Sequence, residues 1–198
     1  MMINVKFIVP KYSKDPKLFM EHWSSFYAYE FEPNYLENIN DPFKNFDSFH
    51  QLYIWKNGMK LSKKKYATIK KLYKKSRDFK RVSKIFSEEL FEEKFNMHKN
   101  PGIWMMFLMH LFQPNNYPLF DQHVYRAHVF LNEGTVKEIP TSNKRKYIFF
   151  KEVYIPWFMS LKSSTKHSGK LLDESLFTLG QHLSKIKNQP DRLESVNL

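Results

Sequence analysis

The chain has no cysteine among its 198 residues and only five glycines. The absence of cysteine excludes disulfides, thiolate zinc sites and cysteine nucleophiles. With so few glycines there is no glycine-rich loop of the kind that cradles phosphates. The eight histidines show no HxxxH or HExxH spacing. We therefore expect neither a metal nor another cofactor.

Long apolar runs are also missing. The longest runs from Ile103 to Phe112 and is interrupted by His110, which is too short to cross a bilayer. The N-terminal stretch has few apolar residues before Pro10 and no small-residue cleavage site, so it is a poor signal peptide. We expect a cytoplasmic protein with no membrane partner.

Strict alternation of apolar and polar residues is absent, and the apolar residues recur at helical spacing. The chain is 42% hydrophobic and 17% aromatic, which is enough for a sizeable core. We predict an all-α protein, with a single compact domain over residues 1–198. We expect two lobes, about 1–98 and 99–198, and a disordered tail at 189–198.

Several helix boundaries are predicted from capping signals. Asn40-Asp41-Pro42 opens a helix that ends at Asn57-Gly58. Ser62 caps a basic helix that extends to Ser76, and a further helix covers about 77–86. A helix over about 144–161 contains Pro156, where we expect a kink.

Positive charge is concentrated in one segment. Residues 56–84 contain 13 Lys and Arg and a single acid, Asp78, whereas the rest of the chain has 19 basic and 19 acidic residues. The whole formal net charge of +12 therefore arises in this segment. Such a segment is either a well-solvated helical face or the footprint of a polyanion, and we favour nucleic acid. The predicted phosphate contacts are Lys63, Lys64, Lys70, Lys71 and Lys74.

A second pattern surrounds a lone acid in HLFQPNNYPLFDQHVYRAHVFL, residues 110–131. Its elements are His110, Pro114, the stretch Tyr117 to Asp121, and then Val124 and Arg126. An apolar helix, a proline-containing turn and an aspartate at the head of the next helix resemble the helix-hairpin-helix DNA glycosylases. The pattern is most similar to the compact 8-oxoguanine-glycosylase-like bacterial branch, over residues 100–131.

The resemblance implies that Asp121 is catalytic. In that superfamily the aspartate lies at a helix N-terminus beside the extruded nucleotide, where a carboxylate stabilises the sugar cation and guides water. Aspartate is also a preferred N-cap, which by itself explains an acid at this position. The two roles do not exclude each other, and the sequence leaves both open.

The hairpin departs from the family pattern. Pro101-Gly102-Ile103 is a remnant of it, but Trp104 replaces the second glycine. The remnant therefore lacks one of the two glycines that let backbone N–H groups approach a DNA phosphate closely. Residues 103–109 contain no lysine that would form a Schiff base with the sugar. Lys99 lies before the remnant, and its lyase role stays open. The resemblance therefore favours a monofunctional enzyme with a degenerate hairpin.

A glycosylase holds its extruded base by stacking and by hydrogen bonds to the base edge. Trp104, Tyr125 and Trp157 are candidates for stacking, and His110, Gln122 and His123 are candidates for hydrogen bonding. Each of them is equally compatible with a role in packing. Arg126 follows Asp121 by about one helical turn and pairs either with a phosphate or with an acid.

We expect an enzyme that excises a damaged base such as 8-oxoguanine, or a modified base of the kind found in phage genomes, by hydrolysing the N-glycosidic bond. Its partner would be duplex DNA with an extruded base, in repair or in antiviral defence. A rival interpretation is a non-catalytic nucleic-acid-binding protein that keeps the fold. A third is a basic helix that binds RNA or an acidic protein. The sequence does not give the oligomeric state.

Overall fold

The computed structural model describes residues 15–83, 85–99, 101–165 and 168–187. Every regular element within these ranges is a helix, so the predicted all-α class is confirmed. None of the helices in these ranges combines the length and the apolar character that a membrane span requires. The predicted disordered tail at 189–198 lies outside the described residues.

Ten helices and one π-helical segment follow one another along the described ranges. In chain order they are α1 (Pro16–Ser24), α2 (Glu32–Leu36), α3 (Phe46–Asn57), α4 (Lys63–Val82), α5 (Glu88–Phe95), α6 (Ile103–Phe112), α7 (Gln122–Glu133), α8 (Asn143–Phe149), the π-helix Phe150–Tyr154, α9 (Ile155–Thr165) and α10 (Gly169–Lys187).

The helices divide between two compact units. One unit takes its described residues from 15–27 and 115–187, and the other consists of residues 28–114. The predicted division near residue 98 lies inside the second unit. The first unit is discontinuous in sequence because α1 packs on α10, at the opposite end of the chain.

The core of the first unit forms where α10 meets α1 and α7. The Ser175 hydroxyl of α10 donates to the Met20 carbonyl of α1 at 2.9 Å, which joins two helices whose bonded residues are 155 positions apart in sequence. Leucines recur along the inner face of α10 at helical spacing, each at most 1% exposed. They are Leu172, Leu176, Leu179 and Leu183.

Gly180 allows α10 to cross α7 at very short range. A Cβ atom built on Gly180 would overlap the backbone carbonyl and Cα of His123, in the first turn of α7. A backbone group cannot swing aside as the end of a flexible side chain can. The position of the α7 N-terminus therefore depends on the absence of a side chain at residue 180.

Aromatic rings fill the core of the second unit. Phe79 of α4 contacts four other phenylalanine rings at centroid distances between 5.4 and 6.3 Å. These rings belong to Phe86, Phe91, Phe95 and Phe112. They bury one face of α4, whose inward stripe is Ile69, Tyr73, Ser76 and Phe79.

The structure corrects two predicted boundaries in this unit. The basic helix does not end at Ser76 but continues to Val82. Ser76 is accommodated in the helix interior because its hydroxyl donates to the Leu72 carbonyl of the same helix at 2.8 Å. The helix predicted from Asn40 begins only at Phe46. There the Asn45 side chain accepts a hydrogen bond from the Ser48 N–H at 2.8 Å and so provides the N-cap.

The helix predicted over about 144–161 has a change of hydrogen-bonding pattern within it. The π-helix Phe150–Tyr154 separates α8 from α9, and Pro156 lies in the first turn of α9. Proline has no N–H to continue the regular ladder, so the irregularity next to it has a local cause.

We predict that Gly180→Ala destabilises the protein by about 3 kcal/mol or more, at the upper end for added volume in a packed interior, because the new methyl group meets backbone. Gly169→Ala in the same helix is the matched control. Its Cβ would meet Lys162 side-chain atoms at an ordinary 3.7 Å, so it should be close to neutral. Urea unfolding of both variants measures the difference, and equal stabilities would contradict the close crossing.

One buried and two partly buried histidines make the free energy of unfolding depend on pH. Burial lowers the pKa of His50, His128 and His182, because desolvation disfavours the imidazolium. Within the described residues, neither His128 Nδ1 nor His182 Nε2 has a hydrogen-bond partner. The unfolded chain therefore takes up protons at a higher pH than the folded chain does.

We predict that the free energy of unfolding falls as the pH drops from about 7 to about 5. Stability conferred by histidines with lowered pKa values is present above about pH 6.5 and is lost as the pH falls through the folded-state pKa values. In the double variant His128→Gln, His182→Gln, stability measured by thermal unfolding should change less with pH than it does in the wild type. A slope insensitive to the double variant would contradict the assignment.

Candidate functional site

Helix α4 separates a buried stripe from a cationic surface. Its 20 residues contain ten Lys and Arg and one acid, Asp78. The five lysines predicted to contact phosphates are all exposed: Lys63, Lys64, Lys70, Lys71 and Lys74. At about 1.5 Å per residue, the helix presents these charges over about 30 Å. Such a surface suits an extended polyanion.

One flank of α4 borders a groove of about 740 Å³. Cations and aromatic side chains line it together: Phe43, Phe46, Tyr73, Lys70, Lys74, Arg77, Lys80 and Arg81, with Asp78 as the acid. The Lys80 ammonium lies 5.3 Å from the Phe43 ring centroid, and the Arg77 guanidinium lies 5.8 Å from that of Tyr73. These cation–π contacts hold two of the charged groups in place.

The other flank of α4 meets the hairpin remnant. A cavity of about 340 Å³ is lined by Lys71, Lys75, Gly102 and Trp104, among others. The Lys65 ammonium lies 5.6 Å from the Trp104 ring centroid. The Tyr53 hydroxyl donates to the Trp104 carbonyl at 3.1 Å and so fixes the first turn of α6. The structure thus brings together Lys71 and Trp104, which were predicted separately.

Asp121 is the N-cap of α7. Its Oδ1 accepts hydrogen bonds from the N–H groups of His123 at 2.8 Å and Val124 at 3.1 Å. The preceding residues, Tyr117 to Phe120, are buried, whereas Asp121 is only partly buried. The carboxylate is therefore held in a fixed orientation at a helix N-terminus, close to the surface of its unit.

A buried tyrosine lies within electrostatic reach of this carboxylate. Burial raises the pKa of the Tyr154 hydroxyl well above its usual range, and the charges of Asp173 and Asp121 raise it further. The Tyr154 ring is 5.2 Å from that of Phe120, and within the described residues its hydroxyl has no hydrogen-bond partner. Tyr154 ends the π-helix, a type of segment often found at functional sites.

Two predicted base-binding residues are buried. His110 is 3% exposed, its Nε2 lies 2.8 Å from the Tyr35 hydroxyl, and its ring stacks on Phe107. Tyr125 is 9% exposed and packs edge-on against Phe149. Both side chains have structural roles within their units, and contact with a base stays a prediction for each.

Three further predicted residues occur in the first turns of α7. Arg126 is buried and makes a two-pronged interaction with Glu138, with Nη2 to Oε2 at 2.9 Å and Nε to Oε1 at 3.4 Å. It thus pairs with an acid, one of the two predicted alternatives. His123 packs on Phe177 and contacts Arg126, while Gln122 is exposed beside it.

Sequence patterns predicted no individual site role for the groove residues Phe46, Arg77 and Arg81, nor for Tyr154. The groove cations follow one flank of α4. A helix that ends at Ser76 does not contain Arg77 and Arg81, so the sequence did not predict that they share this flank with Lys70 and Lys74. Once the helix extends to Val82, the spacing i, i+4, i+7 and i+11 of these four cations places them on the same flank. For Tyr154 the sequence contains no comparable signal.

No family model, curated protein or solved structure matches this chain. Within the described ranges, no three or more His, Asp or Glu side chains gather into a group able to hold a metal ion. Among the described residues, the cationic face of α4 and the oriented carboxylate of Asp121 are the groups that fit the predicted chemistry.

We predict that Asp121→Ala destabilises the protein by about 1 kcal/mol, because α7 loses its side-chain cap. Asp121→Asn should be close to wild type, since an asparagine oxygen accepts the same hydrogen bonds. Urea midpoints of the two variants test this. An equally large loss in both would show that the negative charge, and not the cap geometry, stabilises α7.

Proposed function

We propose that this protein is a DNA glycosylase-like enzyme that binds nucleic acid through α4 and hydrolyses an N-glycosidic bond with Asp121. The observation that carries the proposal is the cationic face of α4, where ten Lys and Arg accompany one acid. The resemblance of residues 100–131 to helix-hairpin-helix DNA glycosylases supplies the reaction. A damaged or modified base would be the leaving group, in repair or in antiviral defence.

Electrostatics supports the choice of a nucleic acid as partner. Lysines that neutralise phosphates release condensed counterions, and this release provides most of the sequence-independent affinity for DNA. Lys64 and Lys71 lie seven residues apart on α4, and therefore on one flank. Both are exposed, as phosphate contacts require.

The chemistry requires little more than one carboxylate. Cleavage of the bond between C1′ and the base develops positive charge on the sugar, which an ionised Asp121 would stabilise. A water molecule directed by the same carboxylate adds its oxygen to C1′, and the departing base takes up a proton. The N–H groups of His123 and Val124 fix the orientation of the carboxylate.

A hydrolytic, monofunctional reaction agrees with the composition of α6. Its sequence, IWMMFLMHLF, offers no lysine for a Schiff base. Lys99 is exposed, before the start of that helix. Its participation would be seen as strand cleavage that accompanies base release.

A second candidate function is nucleic-acid binding without catalysis. The observation in its favour is that Asp121 has a structural role that accounts for its presence, as the cap of α7. In this case base release would be absent, while charge reversal on α4 would still abolish binding.

We expect base release from one of a set of duplexes that each carry a single modified base, such as 8-oxoguanine or 5-hydroxymethylcytosine. Alkaline cleavage at the resulting abasic sites gives the readout. Asp121→Asn should lower the rate by about 10²–10³-fold, because a neutral side chain no longer stabilises the sugar cation. Its duplex affinity should equal that of the wild type.

Charge reversal provides the binding arm of this experiment. Lys64→Glu with Lys71→Glu should weaken duplex binding, and the slope of log K against log salt should become shallower by about 0.9 for each lost phosphate contact. Lys144→Glu with Arg145→Glu, exposed on α8, makes the same charge change outside α4 and should have little effect. Duplex binding without base release from any substrate would leave only the non-catalytic candidate.

A further inference from the structure

The groove beside α4 carries a linear row of positive charges. Lys70, Lys74, Arg77 and Arg81 recur at i, i+4, i+7 and i+11, so they share one flank over about 16 Å. All four are exposed, and all four line the groove. A row of this length on a concave surface suits a chain of successive phosphates better than a single small anion.

Nearby acidic residues neutralise only part of the positive charge of the groove. Asp78 is one of the groove residues. The Lys80 ammonium lies 3.5 Å from the Asp41 carboxylate, and it also lies over the Phe43 ring. The four cations of the row outnumber Asp78, so the groove keeps an excess of positive charge.

An aromatic cluster adjoins the row, and Phe46 belongs both to the cluster and to the groove. The rings of Phe46 and His50 lie nearly parallel, at 8° and a centroid distance of 5.7 Å. Tyr66 lies edge-on to both rings, at 5.4 and 5.1 Å. Burial lowers the pKa of His50, which favours the uncharged form of its ring.

This cluster is accessible at the surface of its unit. Tyr66 is 39% exposed, and Phe46 and His50 are partly exposed. Asn45 caps α3 directly before Phe46, so the ring is attached to a well-defined helix start. Exposed aromatic rings beside a cationic groove are the two components of single-strand binding surfaces, where bases stack and phosphates are neutralised.

We propose that this groove binds a single-stranded nucleic acid, with an unpaired base stacked on Phe46 and bordered by Tyr66, and successive phosphates on Lys70, Lys74, Arg77 and Arg81. A duplex does not satisfy the aromatic part of the surface, because neighbouring bases cover the faces of its paired bases. The groove volume of about 740 Å³ lies within the range of about 300–1,000 Å³ typical of pockets for small organic molecules, so it can accept a nucleotide. The inference rests on the proposed nucleic-acid binding and is independent of hydrolysis by Asp121.

The test compares fluorescent oligonucleotides of about ten nucleotides by anisotropy, a length within the site sizes of single-strand binding proteins. The probes are oligo(dT), oligo(rU), an oligomer of the same length made of abasic deoxyribose units, and a duplex. The full-length protein should bind oligo(dT) about tenfold more tightly than the abasic strand, because only the former can stack. It should also prefer oligo(dT) to the duplex, and the oligo(rU) arm shows whether the sugar matters.

The variants separate stacking from charge. Phe46→Ala should remove the difference between oligo(dT) and the abasic strand, whereas Phe46→Tyr should retain it. Lys74→Glu with Arg77→Glu should weaken binding of both strands and reduce the dependence on salt. Lys144→Glu with Arg145→Glu on α8 is the control of equal charge change. Circular dichroism establishes that each variant is folded.

Equal affinity for oligo(dT) and the abasic strand overturns the inference, as does tighter binding of the duplex that depends on Lys74 and Arg77. So does a Phe46→Ala variant that is folded and keeps full discrimination. Asp121→Asn should bind oligo(dT) as the wild type does. Strand binding without base release contradicts only the hydrolytic function, and base release without a preference for single strands contradicts only the groove assignment.

Discussion

The structure of residues 28–114 depends on how α4 buries one face. Ten cations along 20 residues repel one another, and no acid other than Asp78 lies in the helix to offset them. Burial of apolar surface on the opposite face of the helix offsets this repulsion. There Ile69, Tyr73 and Phe79 are at most 7% exposed and pack among phenylalanine rings. The same burial fixes the rotation of the helix. The cations are consequently held at the surface, on the two flanks that border the cavities.

Asp121 caps α7, and the same hydrogen bonds hold its carboxylate in one orientation. A carboxylate that caps a helix is held rigid by backbone N–H groups, and rigidity is what a charged group needs to stabilise a developing positive charge without reorganisation. Gly180 contributes indirectly, because its lack of a side chain allows α10 to lie against the first turn of α7. The carboxylate thus depends on a contact nearly 60 residues away in sequence.

Local sequence signals predicted much of this fold. Helical periodicity gave the all-α class, and Ser62 and Asp121 were recognised as N-caps, because a cap depends on only a few neighbouring residues. The continuation of α4 past Ser76 was not predicted, because serine is more typical of helix ends than of helix interiors. In the structure the Ser76 hydroxyl donates a hydrogen bond to the Leu72 carbonyl within the helix. The groove, the surroundings of Tyr154 and the crossing at Gly180 depend on contacts between distant segments, which periodicity does not contain.

The π-helix has a consequence for how this region tolerates change. A π-turn contains one residue more than the α-turn it replaces, and here it allows Phe150, Tyr154 and Phe158 all to be at most 2% exposed. Removal of a single residue between 150 and 154 would restore the α-helical ladder, and the helix downstream would keep its present phase, because the π-turn contains just one residue more than an α-turn. Phe158 would then keep its neighbours, so the loss of one residue is tolerated in this turn, whereas in an uninterrupted α-helix it would rotate every later residue by about 100°.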